Sequence, residues 1–96
     1  MALGIALTLA GATAAIAADG AACGSRGLAE CGQAEFCDYE PAAMCGAADH
    51  PGTCRTKPDV CTREYRPVCG CGDKTFANDC ERRAAGVGKL HDGACN

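Results

Sequence analysis

Ten of the 96 residues are cysteine, whereas the chain has only two Phe, two Tyr and no Trp. No other feature constrains the fold as strongly. The apolar share comes largely from Ala and Cys, so burial of large side chains cannot stabilise a unit of this size. Below about 70 to 80 residues a core rarely supplies more than roughly 3 to 5 kcal/mol, and natural chains of that size compensate with disulfides or metals. Which of the two applies here depends on the redox compartment.

The opening MALGIALTLAGATAAIA carries no charge and ends in Ala15, Ile16 and Ala17, the small-residue pattern that signal peptidase favours. Residues 1–17 are therefore read as a cleaved secretion signal, although a basic n-region is missing. A membrane anchor of marginal length is the rival reading. Lipid attachment at Cys23 is a further alternative, with Gly20 standing where acceptor sites want Leu; it would leave nine cysteines, an odd number. Export to an extracellular or periplasmic compartment makes ten cysteines read as five disulfides rather than as metal ligands or catalytic thiols. The mature chain, from about Ala18, keeps the formal charge of −3. Its basic residues are scattered, with no aromatic interleaving, which excludes nucleic acid as a partner, and no membrane contact is expected once the signal is removed.

The mature chain divides into two parts. Residues 18–53 form a loop-rich, cysteine-rich extension, punctuated by Gly and Pro, with EFCDYE as its best short strand and Phe36 and Tyr39 as its aromatic anchors. After the linker-like RTKPD the pattern becomes regular, and residues 54–96 are read as the second part. RPVCGC and KTFAN pair as antiparallel strands because Gly72 and Asp73 supply turn chemistry between them. NDCERRAAG predicts a helix over roughly 79–85, capped by Asn78, with Glu81 in the capping-box position and Gly86 as its stop. A last strand near Lys89 to His91 leads into Cys95. The fold class is thus small and disulfide-rich, with a short antiparallel sheet and one helix.

No catalytic constellation emerges. Glu64 and Asp79 could serve as an acid and base pair, but no partner motif accompanies them. Cys69, Gly70 and Cys71 form a CxC that in a cytosolic chain would suggest zinc or redox chemistry; the secretion signal and the even cysteine count argue against a metal site. His50 and His91 are read as solvent-exposed. The chain is expected to be no enzyme and to need no cofactor.

The second part resembles the Kazal-type serine protease inhibitors, of which avian ovomucoid domains are familiar members. Seven residues separate Cys61 from Cys69 and ten separate Cys69 from Cys80, as in that family, and CTREYRPVCG followed by KTFANDC is similar to its reactive loop and central hairpin. The likeness covers Cys54 to Cys95. The resemblance implies a reactive bond between Arg63 and Glu64, protease contacts from Thr62, Arg63, Glu64, Tyr65 and Arg66, and support of the loop by Asn78. Its target would be a trypsin-like serine protease, bound by a monomer. One position departs from the family: Arg83 stands where the fifth cysteine belongs, and Cys71 appears within the hairpin instead. Carried over, the family pairing gives Cys61–Cys80 and Cys69–Cys95, with Cys54–Cys71 as the displaced third bond. Cys23, Cys31, Cys37 and Cys45 are left to form two bonds among themselves, in any of three connectivities.

The resemblance also explains the crowding of cysteines around so polar a stretch. A protease binds its substrate as an extended strand, and a loop held extended by disulfides has lost that conformational entropy during folding. After cleavage the leaving amine cannot diffuse away, so religation competes with hydrolysis. The rival function is a non-inhibitory, follistatin-like extracellular binding module. Such a module has little need of Thr62, Arg63 and Glu64 backed by Asn78, all four of which are present.

Overall fold

The computed structural model describes residues 16–96, with side chains from Ala18 onward. The expected secretion signal lies for the most part outside the described residues; its last two positions form the strand β1, Ile16–Ala17, parallel to β3, Glu30–Cys31. Among the described residues no helix is long and apolar enough to cross a membrane.

Two three-stranded antiparallel sheets follow. In the first, β5 (Gly52–Thr56) lies between β2 (Ala22–Cys23) and β4 (Glu35–Asp38). Alternation along β4 buries Phe36 and Asp38 on one face, and alternation along β5 buries Gly52 and Cys54. In the second, β6 (Val68–Gly70) lies between β7 (Lys74–Phe76) and β8 (Lys89–Asp92). Gly72 and Asp73, both at positive φ, close the β6–β7 hairpin as turn residues should. The helix α1 spans Asp79–Ala84 and stops before Gly86 at φ +73°. His50 is exposed as expected, whereas His91, on β8, is half-buried.

The buried apolar set is Cys23, Phe36, Cys54, Val68, Cys69 and Phe76. Half of these are cysteines, so cross-links occupy the space that large side chains fill in bigger domains. All ten cysteines are oxidised, in the pairs Cys23–Cys37, Cys31–Cys54, Cys45–Cys71, Cys61–Cys80 and Cys69–Cys95. The last two match the expected pairing. Cys54–Cys71 does not form, and of Cys23, Cys31, Cys37 and Cys45 only Cys23 and Cys37 bond to each other. The reason is the position of Cys54: it is fully buried on the central strand of the first sheet, beside Cys31. Cys71, just past β6, faces the irregular segment Pro41–Asp49 and takes Cys45. The two parts are therefore stitched together, by Cys45–Cys71 and by β5, which straddles residue 54.

The seam between the sheets is also close-packed. Lys89 N donates to the Tyr39 carbonyl at 2.8 Å, and Gly88 is so near that a Cβ there would stand 3.0 Å from Tyr39 Cβ and 3.1 Å from Cys71 Sγ. Only glycine fits without displacement.

Candidate functional site

Between β5 and β6 the chain runs through residues 57–67. From Val60 to Pro67 it contains no turn, bend, helix or strand, and none of its residues has positive φ. Pro58 and Pro67 bracket it, each fixing its own φ and biasing the preceding residue toward extended backbone. Cys61 is bonded to Cys80 on α1, while Arg66 N donates to Ala77 O at 2.9 Å and Gly93 N to Pro67 O at 2.8 Å. Both ends are thus held. Between them Thr62, Arg63, Glu64, Tyr65 and Arg66 are all exposed, and Tyr65 and Val60 keep 74% and 84% of their surface in water.

Asn78 connects this loop to the body of the protein. It is 2% exposed. Its Nδ2 donates to Thr62 O at 3.1 Å and to Glu64 O at 2.8 Å, while its Oδ1 accepts from Glu81 N at 2.9 Å. A primary amide has two N–H donors, and both are used on the loop while the oxygen caps α1. In extended backbone, groups two residues apart point the same way. One side chain reaching the carbonyls of residues 62 and 64 therefore leaves the Arg63 carbonyl facing away from the scaffold, and among the described residues that carbonyl accepts no hydrogen bond. The Asn78 contacts go to main-chain carbonyls, and no side-chain hydrogen bond joins Thr62 to Glu64 among the described residues.

Behind Asn78 lies a charge cluster. Arg82, 2% exposed, donates from Nη1 to Asp38 Oδ1 at 2.8 Å and to Val87 O at 2.6 Å, and from Nε to Asp79 Oδ1 at 2.9 Å. Burial alone would lower the proton affinity of its guanidinium, but the hydrogen bonds and charges of Asp79 and Asp38 reverse this and raise it. Burial likewise pushes the Asp79 carboxyl up; the hydrogen bond and charge of Arg82, with the charges of Lys89 and Arg83, outweigh it and hold that carboxyl below its usual range. Asp79 is consequently ionised at neutral pH and engaged by three cations, a poor proton donor for acid–base chemistry with Glu64.

Sequence reasoning left Asp38 and Arg82 unremarked. One signal was available, since Asn78 and Arg82 stand four residues apart and share a helix face. Arg83, in the position of the family's fifth cysteine, remains half-exposed and pairs with Asp79 at 3.2 Å. Cys69 and Cys71 of the CxC lie in two separate disulfides, so neither offers a thiolate.

A short sheet, one capped helix and an exposed loop braced by a buried asparagine define a small disulfide-held inhibitor scaffold. The pattern of the Kazal-type serine protease inhibitor domain matches residues 54–95. The chain belongs to that family. It is 43% identical to acrosin inhibitor 1 of Bos taurus over 30 residues, 31% of this chain and 48% of that protein. It is 38% identical over 52 aligned residues to Vasotab-TY2 of Tabanus yao and to Vasotab of Hybomitra bimaculata, covering 40% of this chain and 68% of each relative. The chain thus spans about half the length of acrosin inhibitor 1 and about two thirds of the two vasotabs. Membership of this family points to a protein that binds proteases rather than to an enzyme.

Proposed function

We infer that the protein is a secreted inhibitor of trypsin-like serine proteases, acting as a monomer, with residues 54–96 as the inhibitory unit and Arg63–Glu64 as the reactive bond. The observation that carries this reading is the pair of bonds from Asn78 to the carbonyls on either side of Arg63. Exposure of Arg63, Tyr65 and Arg66, family membership and five disulfides suited to an oxidising compartment all support it.

The mechanism follows from the loop. Arg63 enters the deep pocket of a trypsin-like enzyme, where its guanidinium meets the Asp at the base. Its outward carbonyl is presented for attack, and Thr62, Glu64, Tyr65 and Arg66 extend the contact on both sides. Because the loop is already ordered, little entropy is lost on binding. Because Asn78 and Cys61–Cys80 hold both sides of the bond, a cleaved loop stays in place and the amine of Glu64 remains poised to re-form the peptide.

Arg63→Ala tests the assignment. Removing one member of a buried interfacial charge pair costs on the order of 2 to 5 kcal/mol, and each 1.4 kcal/mol is about tenfold in affinity. Trypsin inhibition should weaken by roughly thirty-fold to several thousand-fold, with an unchanged melting temperature because the side chain faces water. Arg63→Leu should exchange trypsin for enzymes with apolar pockets, while Arg66→Ala should cost far less. If the wild-type protein inhibits no trypsin-like enzyme at micromolar concentration, or Arg63→Ala inhibits equally well, the non-inhibitory binding module becomes the better reading.

A further inference from the structure

The extension before residue 54 has no function assigned by the family match, yet one of its side chains lies a single helical turn from the loop support. Asp38 ends β4 and is 5% exposed, and its Oδ1 accepts from Arg82 Nη1 at 2.8 Å. The backbone N–H of that same Arg82 donates to Asn78 O at 3.2 Å. Asn78 in turn holds the Thr62 and Glu64 carbonyls through Nδ2. A continuous chain of directional contacts therefore runs from the first sheet, through one buried guanidinium and one amide, to both sides of Arg63. Arg82 is held on three sides, by Asp38, Asp79 and the Val87 carbonyl.

We propose that Asp38 and Arg82 are positioning residues for the loop: the extension orients α1 through this ion pair, and the orientation of α1 sets how rigidly Asn78 holds the carbonyls around Arg63. Position 83, where the resemblance places a cysteine tying this helix to the start of the domain, carries an arginine here, so the covalent tether is absent and the polar one occupies its role. Arg83 itself contributes little, being half-exposed and paired only at the surface. The inference rests on the inhibitory reading for its consequence, not for its geometry.

A loosened loop behaves as a substrate, so the test measures hydrolysis of Arg63–Glu64 alongside inhibition. Asp38→Asn keeps the shape and one acceptor but removes the charge, Asp38→Glu restores the charge, and Arg83→Ala serves as a control on the same helix. With trypsin, Asp38→Asn should inhibit about tenfold more weakly and show net cleavage about tenfold faster, because a looser loop loses more entropy on binding and, once cut, holds the Glu64 amine out of place, so that religation slows and hydrolysis wins. Asp38→Glu should recover part of the loss, and Arg83→Ala should resemble wild type. Melting curves establish that each variant is folded at the assay temperature. Amide exchange at Glu81 and Arg66, whose N–H groups depend on Asn78 and Ala77, reads the coupling without any protease and should quicken in Asp38→Asn. If wild type inhibits no protease but Asp38→Asn quickens exchange at both amides, the inhibitory reading fails and the coupling stands. If Asp38→Asn matches wild type in inhibition, cleavage and exchange, the positioning role is overturned. Should Asp38→Asn fail to fold, Arg82→Lys, which keeps the charge but loses the fork of donors, decides by the same measurements: unaltered inhibition, cleavage and exchange in folded Arg82→Lys would reject the proposal.

Discussion

Residues 57–67 and the segment Pro41–Asp49 are both irregular, and each is pinned by a disulfide to the C-terminal half, yet they present opposite kinds of surface. The segment turns back on itself: Met44, Cys45, Gly46, Ala48 and Asp49 all have positive φ, and Ala43 N and His50 N donate to Glu40 O and Ala47 O within it. Asp49 also accepts from Ser25 Oγ and Arg26 N, drawing it onto the extension. Between Cys61 and Arg66 the loop does none of this. Its carbonyls at 62 and 64 are satisfied by a side chain inserted from below, so its main chain stays extended and its side chains remain free. A cross-link fixes where a segment begins and ends. Where the backbone hydrogen bonds go decides whether it closes up or offers itself to a partner.

The largest expected effects come from removing each anchor in turn. Replacing Cys45 and Cys71 by Ser, or Cys61 and Cys80 by Ser, should cost about 3 kcal/mol either way in the chain-entropy model, since the two closures have similar lengths. Denaturant titration would check this. Only loss of Cys61–Cys80 should also collapse protease inhibition; equal damage from both would mean that the two segments do not differ in the way described.

Asn78 gives the next effect. Asn78→Ala loses the helix cap and should cost about 1 to 2 kcal/mol, with faster loop cleavage. Asn78→Ser keeps a capping oxygen for Glu81 N but is too short to hold the Thr62 and Glu64 carbonyls, so it should be more stable than Asn78→Ala while inhibiting about as poorly. Melting temperature and inhibition constant, measured together, separate the two roles of this one side chain.

A smaller effect of opposite sign is expected in the other segment. Ala48 has φ 54°, and left-handed backbone costs a non-glycine residue roughly 1 to 2 kcal/mol, partly offset by the entropy a glycine loses on folding. Ala48→Gly should stabilise by about 0.5 kcal/mol. Thr62→Gly, in a loop without positive φ, should only loosen.

The mildest effect concerns pH. Asp79 titrates below its ordinary value when folded, so its contribution to stability is complete above that value, near 3.9, and disappears as pH falls through the lowered one. Wild type should therefore lose more melting temperature between neutral and strongly acidic solution than Asp79→Asn does. Lys89 is the converse: the hydrogen bond it donates to Asp92 raises it, so its contribution is complete below the ordinary lysine value and fades as alkaline pH passes the raised one.

Local chemistry made much of this legible in the sequence. Asn78 before DCERRA announced a capped helix, Gly72 and Asp73 announced the hairpin, and the spacing of Cys61, Cys69 and Cys80 pointed to the family. Pairing of Cys54 was not legible, because it depends on which sheet β5 joins, a long-range choice that strand pattern does not encode. The burial of Arg82 was legible only in part: Arg82 and not Arg83 shares the helix face of Asn78, but its counter-charge, Asp38, comes from 44 residues away. Sequence patterns report periodicity and caps. They do not report which distant strand supplies the counter-charge.

The arrangement of cross-links has a topological consequence. Considered as a network whose edges are peptide bonds and disulfides, the described chain stays connected when the Arg63–Glu64 edge is deleted, since Cys45–Cys71 and Cys61–Cys80 both bridge the gap. A protein nicked there would migrate as one species on a non-reducing gel and as two after reduction. That edge is redundant to the integrity of the network, so the molecule can expose its backbone there to a protease without being taken apart by it.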